Sequence, residues 1–469
     1  MLKRLLILTA ITTLSIAGSA YADSKAYIVL LKGQGNISAS FEKAVTDAGG
    51  TITTRIPELG AVGVNSDNPN FAATLQQNNS VEAINDDAMY QMIPTPEQMQ
   101  AQAGPSEDAA TQAPGPDTQT GPDPFYNPYQ WDKKRIRASN QGSYAVQQGR
   151  PDVVVAVLDT GAEVIPSIHP DLQGNLDLAR SRSFVATGPA GDPNPAAWDD
   201  KNGHGTHCAT SIGAPINGRG IVGVAPKITL VSCKVLSDSG SGSYLWLAQA
   251  LVYAGVNHFD VASMSLGGYV DHATNQATIK LVQRAINFAR ENGVTPVAAL
   301  GNNNFDLSDG HFMGDFIDLP AEADGVIGVS ATNFSNNKAS YSNYGVGKAD
   351  LSAPGGDADI PPPFGFVLAG WARDSIVLPA SYVFAAGTSM ACPQVSGTAA
   401  LIISQYGDFT PSNGRKPHMS PQQVEQILAQ TANNQPCPSG PTTCDGGSGY
   451  NNYFGKGIVD AFKAVTGTK

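Results

Sequence analysis

The sequence predicts a doubly wound, mostly parallel α/β sheet flanked by helices, preceded by a small ferredoxin-like α+β unit. Three observations carry this. Residues 153–158 read VVVAVL, a continuous apolar run of strand length, as expected of a strand buried on both faces. Similar runs at 228–236, 261–265, 294–300 and 326–330 alternate with helical stretches at 204–212, 244–255 and 278–292. Strands alternating with helices imply parallel crossovers. Ahead of them, residues 26–84 carry shorter patterns in the order β-α-β-β-α-β.

Taken in order, the first 22 residues read as an export signal. Lys3 and Arg4 supply the basic start. Residues 5–17 are apolar and too short to span a bilayer, and Ala20-Tyr21-Ala22 is a small-x-small cleavage site. We expect a cut after Ala22 and a secreted or periplasmic protein, where disulfides are allowed. No later run reaches the roughly 18 apolar residues of a span, so no membrane association is expected after signal removal.

Residues 23–92 form the small unit. A strand at 26–31 (AYIVLL) leads to a helix with apolar positions Ile37, Phe41, Val45 and Ala48, ended by Gly49-Gly50. Strands at 51–56 and 59–64, a helix at 70–77 and a strand at 81–84 complete it. After Ile93 the composition turns to Pro, Gln, Thr, Ala, Gly, Asp and Glu, with Met99 as the one large apolar residue before Pro124. Such a segment buries too little to offset its ordering entropy, which predicts a disordered linker at 93–122. The large domain takes 123–469.

Composition narrows the function. The 469 residues carry 28 basic and 40 acidic side chains, a net charge of −12, which argues against nucleic acid as a partner. Hydrophobic content of 41% with 14% charge is enough for a sizeable core, and five cysteines are too few for a disulfide scaffold.

Three stretches carry chemistry. Asp159 follows VVVAVL directly, at a strand end where sites of such sheets gather. Asn202-Gly-His-Gly-Thr-His-Cys-Ala places His204 and His207 at a helix start, with no Glu between them as a zincin motif needs. The glycines beside His204 imply close packing around its ring. Gly387-Thr-Ser-Met-Ala-Cys-Pro puts Ser389 at a helix entrance, where unpaired amides favour negative charge. The order Asp, His, Ser is that of one of the convergent serine-hydrolase triads.

VLDTG, NGHGTHCA and AAGTSMACPQVSG together resemble the three active-site segments of the subtilisin-like serine proteases, the subtilase family. The resemblance runs from about Asp123 to Val465, and residues 26–87 resemble the family's inhibitory propeptide. It implies a self-processing zymogen whose propeptide is its own intramolecular inhibitor, with a tail near 90–93 in the cleft. It implies Ser389 as nucleophile, His204 as general base and Asp159 as its orienting partner, with Asn302 of LGNNN donating to the oxyanion. Gly240-Ser241-Gly242 and Ser265-Leu266-Gly267 resemble the strands that hold peptide by main-chain hydrogen bonds, so protein or peptide substrates are expected.

The loop after Asn302 is longer than in the subtilisins, and LPA aligns with the edge of the S1 pocket. This leaves two readings of Asp318: an acidic floor favouring Lys or Arg at P1, or a solvated or helix-capping carboxylate. No catalytic cofactor is expected. Asp123, Asp171 and Asn217 match side-chain ligands of a structural calcium ion, with Arg219 a departure. Cys437 and Cys444 flank a Pro/Gly/Thr loop and predict a disulfide. Cys208 and Cys392 match buried free thiols of the family, and a Cys208–Cys233 bridge stays open.

Two other classes compete. An esterase is disfavoured because Ser389 lacks the G-x-S-x-G setting and the chain order differs from α/β-hydrolases. An inactive binding or chaperone scaffold is disfavoured because all four catalytic side chains are present. A monomer is expected.

Overall fold

The structure is a computed structural model. It describes residues 24–95, 97–106, 120–186, 194, 196–309, 315–410, 417–439, 443–447 and 449–468. The expected export signal lies outside them.

The front unit runs β1 (Lys25–Leu31), α1 (Ala39–Asp47), β2 (Gly50–Ile56), β3 (Ala61–Ser66), α2 (Phe71–Leu75) and β4 (Val81–Asp86). Its antiparallel sheet has the order β2-β3-β1-β4. Strand alternation splits the apolar residues between two faces. Val29, Val62 and Val64 face Phe41, Val45, Phe71 and Leu75 of the unit's own helices. Ile28, Leu30 and Ala61 instead join a core that belongs to the large domain.

Two short segments follow, β5 (Tyr90–Gln91) and β6 (Gln102–Ala103), and then two short helices, α3 (Tyr126–Tyr129) and α4 (Trp131–Arg135). The large sheet is built from β7 (Val154–Asp159), β8 (Arg182–Ser183), β9 (Thr229–Lys234), β11 (Val261–Met264), β13 (Thr295–Ala299), β15 (Ile327–Thr332) and β16 (Leu351–Pro354). All of its pairs are parallel, in the order β16-β15-β13-β11-β7-β9-β8. Smaller pieces border the cleft: β10 (Ser241–Gly242), β12 (Gly268–Asp271), β14 (Phe316–Leu319), β17 (Val367–Gly370) and β18 (Tyr382–Ala385).

Helices α5 (His204–Gly213), α6 (Tyr244–Val256), α7 (Gln276–Glu291), α8 (Thr388–Tyr406), α9 (Pro421–Thr431) and α10 (Ala461–Thr466) complete the domain. β7 shows why VVVAVL is apolar throughout. Val154, Ala156 and Leu158 pack with α6 and α7, while Val153, Val155 and Val157 pack with α5 and α8. Both faces are covered, so neither phase of the alternation is polar.

The front unit docks on α6 and α7. Leu245 and Leu281 share its outer core, Glu82 pairs with Lys280 at 2.8 Å and with Arg284, and the Thr278 N–H donates to Asn85 at 3.0 Å.

The expectation of a structureless linker from 93 to 122 needs correction. Its described front part is ordered against the large domain. β6 pairs antiparallel with β18, and Met99 is 1% exposed in a cluster with Trp131, Trp371 and Met390. The main chain, which composition does not report, supplies the rest by adding a strand to a sheet edge. Residues 107–119 lie outside the described residues.

Cys437 and Cys444 form the expected disulfide, with 5.6 Å between their Cα atoms. Cys208, Cys233 and Cys392 are free and buried, so the open Cys208–Cys233 pairing is absent.

Candidate active site

Asp159 ends β7, His204 begins α5 and Ser389 lies in the first turn of α8. All three are buried. The Asp159 carboxylate accepts the Thr160 N–H at 2.7 Å, which fixes its rotamer. Its two oxygens lie 2.8 and 3.0 Å from His204 Nδ1, which places the proton on Nδ1 and leaves Nε2 as the basic atom. Nε2 is buried and has no hydrogen-bond partner.

The glycines around His204 are there for space. A Cβ on Gly203 would lie 2.1 Å from the Trp371 ring, and one on Gly205 would lie 2.2 Å from the Gly161 carbonyl oxygen. Gly203 also has φ of +111°. Asp200 caps this turn: one oxygen accepts the Asn202 and Gly203 N–H groups, the other the N–H and hydroxyl of Thr206. A carboxylate at a helix N-terminus is favoured by the macrodipole. Sequence reading missed Asp200; its signal was the acidic pair two residues before the His204 motif.

Pro393 sits inside α8 and has no N–H for the Ser389 carbonyl four residues earlier. That carbonyl is held instead by the Ser265 hydroxyl at 3.0 Å, with the Cys208 thiol 3.6 Å away. The Ser389 hydroxyl donates to the Ser265 carbonyl at 3.1 Å. The expected Ser389–His204 hydrogen bond is therefore open here, as catalytic bonds often are without substrate. Cys208, 3.9 Å from His204 Nδ1, is pushed well above the ordinary thiol range by burial and the Asp159 charge, so it is an inert thiol.

Asn302 follows β13. Its Oδ1 accepts the N–H of Thr388 at 2.8 Å and its hydroxyl at 3.1 Å. With the oxygen so held, the amide NH2 is turned away from Thr388. Asn302 and Ser389 line one cleft cavity of about 610 Å³. His207 is a buried core histidine, lowered to about 3 by burial.

The sequence profile described as Subtilase family, Peptidase S8, matches residues 150–457. The chain belongs to the subtilase family. It is 35% identical over 313 residues to the M-protease of Shouchella clausii, covering 67% of this chain and 64% of that protein. It is 35% identical to Subtilisin Savinase of Lederbergia lenta, covering 67% of this chain and 90% of the relative. In three dimensions it resembles the epidermin leader peptide processing serine protease of Staphylococcus aureus, with a TM-score of 0.73 at 24% identity, covering 96% of this chain and 99% of that one. This last likeness concerns the fold.

In this subtilase the cleft is crossed by the chain's own front segment. Tyr90–Gln91 pairs antiparallel with Ser241–Gly242, the Met92 N–H donates to the Gly240 carbonyl at 3.1 Å, and the Gly267 N–H donates to the Met92 carbonyl at 2.9 Å. Tyr90 packs against Tyr244 in a tilted arrangement, ring centroids 5.0 Å apart, and Leu266 lines the same cavity. On the far side of Ser389, the Ala386 N–H donates to the Met99 carbonyl at 3.2 Å. Between these anchors the Met99 N–H donates to the Thr95 carbonyl at 3.0 Å.

Asp123 and Asp171 meet at the 217–221 loop. Gly218 N–H donates to Asp123 Oδ1 and Ile221 N–H to Asp171 Oδ2. Asp123 Oδ2 and Asp171 Oδ1 are buried without a partner. Asn217 Oδ1 accepts the Arg219 N–H at 2.9 Å, so Arg219 contributes backbone here. Burial raises the two carboxyls to about 6 and about 7. Two orphaned carboxylate oxygens beside an amide oxygen fit a hard cation.

Proposed function

We propose that the protein is an exported serine endopeptidase, made as a zymogen that its own triad processes. One observation carries the reading: Asp159 holds His204 Nδ1 while the buried Nε2 stays unpaired, and Cys208 touches both His204 and the carbonyl of Ser389, which lines the cleft cavity with Asn302.

The steps follow from these atoms. A substrate strand whose N–H takes the Ser265 carbonyl frees the Ser389 hydroxyl for His204. Nε2 takes the hydroxyl proton as Oγ attacks the scissile carbonyl, and Asp159 stabilises the imidazolium. The oxyanion is received by the Ser389 N–H and the Asn302 amide. His204 then protonates the leaving amine, and water, deprotonated by the same nitrogen, releases the acyl group. The glycines at 240, 242 and 267 let a peptide backbone come close on both sides.

The front unit is the inhibitor in this reading. Its docking on α6 and α7 delivers the segment after β4 into the cleft as a strand, held at Ser241–Gly242 and Gly267 and again where Met99 meets Ala386. A cut in this stretch, helped by the high effective concentration of a tethered chain, releases the unit. Among the described residues no helix is long and apolar enough to cross a membrane. Calcium held by Asp123, Asp171 and Asn217 supplies stability and no catalytic step.

Incubation with casein and a sulfonyl fluoride tests the activity. Digestion that the reagent blocks is expected. Blocking without digestion would mark an esterase, and neither result an inactive scaffold. Wild type should shorten with time while Ser389→Ala stays full length; identical banding would refute self-processing.

A further inference from the structure

β14 turns the long loop after Asn302 back into the cleft. It pairs antiparallel with β12, and Asp318 stands opposite Tyr269 on the same face of this ribbon. The Asp318 carboxylate presses against two glycines of the cleft wall. A Cβ on Gly267 would lie 3.0 Å from its Oδ1, and one on Gly301 would lie 2.8 Å from its Oδ2. Gly267 belongs to the strand that grips the front segment, and Gly301 precedes the oxyanion residue Asn302. Asp318, Gly267, Gly301, Asn302 and Ser389 all line the same cavity.

Asp318 is 2% exposed, yet among the described residues no donor reaches its carboxylate. Its own N–H is satisfied by Glu322 at 2.7 Å. The two nearest phenols spend their protons elsewhere: Tyr244 donates to the Gly268 carbonyl at 2.7 Å and Tyr269 to Asn303 at 3.0 Å. The Asn343 amide NH2 is used by the Tyr269 oxygen and the Leu300 carbonyl. Glu322, the one acid beside it, is paired with Lys348 at 2.5 Å, so that lysine is committed too. Burial, with Glu322 adding to it, holds the Asp318 carboxyl well above the ordinary range. A carboxyl in this position without a protein partner costs stability, and the side chain faces the cleft cavity, where a substrate group can reach it.

We propose that Asp318 is the specificity-determining residue of the S1 pocket, selecting peptides with lysine or arginine at P1. This rests on the endopeptidase reading above. A long cationic side chain entering beside Gly267 and Gly301 brings the partner that the protein itself withholds. A carboxylate and a cation meeting in this pocket are each satisfied, whereas an apolar P1 leaves the acid unpaired. The front segment fits the same logic. Between Arg55 and Lys133 the sequence contains neither lysine nor arginine. The strap across the cleft therefore holds by main-chain bonds and offers Asp318 no cation, which suits an inhibitor that is cut slowly.

The test uses the product of self-processing of the full chain and tetrapeptide anilides that differ only at P1: Lys, Arg, Phe and Leu. The expected kcat/KM for Lys and Arg exceeds that for Phe by tenfold or more. In Asp318→Asn, which keeps the shape, it falls at least thirtyfold for Lys and Arg and stays within threefold for Phe and Leu. Benzamidine, a cationic S1 probe, should inhibit wild type competitively, a reading that needs no variant. Equal or better cleavage after Phe in wild type, an unchanged basic preference in Asp318→Asn, or indifference to benzamidine would each overturn the assignment. If no substrate is cut and a sulfonyl fluoride does not label Ser389, the endopeptidase reading itself fails. Labelling with cleavage after apolar residues sinks only the role of Asp318.

Discussion

Thr388 holds Asn302 by two bonds to one atom: its N–H and its hydroxyl both donate to Oδ1, at 2.8 and 3.1 Å. The same hydroxyl oxygen accepts the Gly301 N–H at 3.1 Å. An amide gripped through its oxygen has its NH2 set before any oxyanion forms, and such preorganisation is what makes a donor effective.

Replacing Asn302 by Ala should lower kcat by about 10²–10³ with little change in KM, the scale associated with this donor in a subtilisin. Thr388→Val keeps the N–H and loses the hydroxyl. It should cost about fivefold in kcat, the worth of one neutral hydrogen bond, and Thr388→Ser should recover it. Steady-state kinetics on one peptide series decides; a KM effect alone would assign Thr388 to substrate binding instead.

Met99 should set the pace of maturation. It is the single large apolar side chain of its stretch and is buried against Trp131, Trp371 and Met390. Met99→Asp places a charge in that cluster and should expel the strap, since an unpaired buried charge is not tolerated. We expect self-processing to quicken several-fold on gels. Met390 should also become oxidisable by peroxide sooner, as read by mass spectrometry. Unchanged rates for both would remove Met99 from the account.

Docking of the front unit should weaken as pH rises. Asp87 accepts the Ser243 hydroxyl at 2.6 Å, and Ser243 caps α6. Burial raises the Asp87 carboxyl to about 6 from an ordinary 3.8, with the Ser243 bond opposing. The docked state therefore binds more protons than the released state between about pH 4 and 6. Its advantage is full below that window and is lost as pH passes through it. Hydrogen exchange in the Ser389→Ala chain should show opening of residues 81–95 increase about tenfold from pH 4.5 to 7. Asp87→Asn, which keeps the bond to Ser243, should flatten the curve; equal slopes would discard this group as the cause.

Calcium should protect against heat. A ligand at about a hundred times its Kd adds about 2.7 kcal/mol, or roughly 4 °C in Tm for a domain of this size. Calorimetry in excess calcium and in EDTA should differ by that amount, and Asp171→Asn should abolish the difference. Equal Tm values in both buffers would refute the site.

Much of this was legible in the chain as a string. VVVAVL and its relatives announced buried parallel strands because a strand covered on both faces has no polar phase. Asp159, His204 and Ser389 were legible because their neighbours are constrained: glycines stand beside His204 where Trp371 and Gly161 leave no room for a Cβ. The order of the front unit was readable for the same reason, since short alternations and a Gly-Gly stop are local signals.

What folding alone decided lies between segments distant in sequence. Composition predicted a structureless stretch at 93–122, yet a main chain needs no apolar side chains to join the edge of β18, as Gln102–Ala103 does, and one buried Met99 is enough to anchor it. The direction of the Ser389 hydroxyl depends on a carbonyl 124 residues away. The surroundings of Asp318 are of this kind too, because whether a carboxyl is paired depends on side chains brought together from distant segments: Tyr244 from α6, Tyr269 from β12, and Asn343 and Lys348 from the loop between β15 and β16. Local pattern sets which groups are present; desolvation and pairing, which set what those groups can do, are properties of the packed chain.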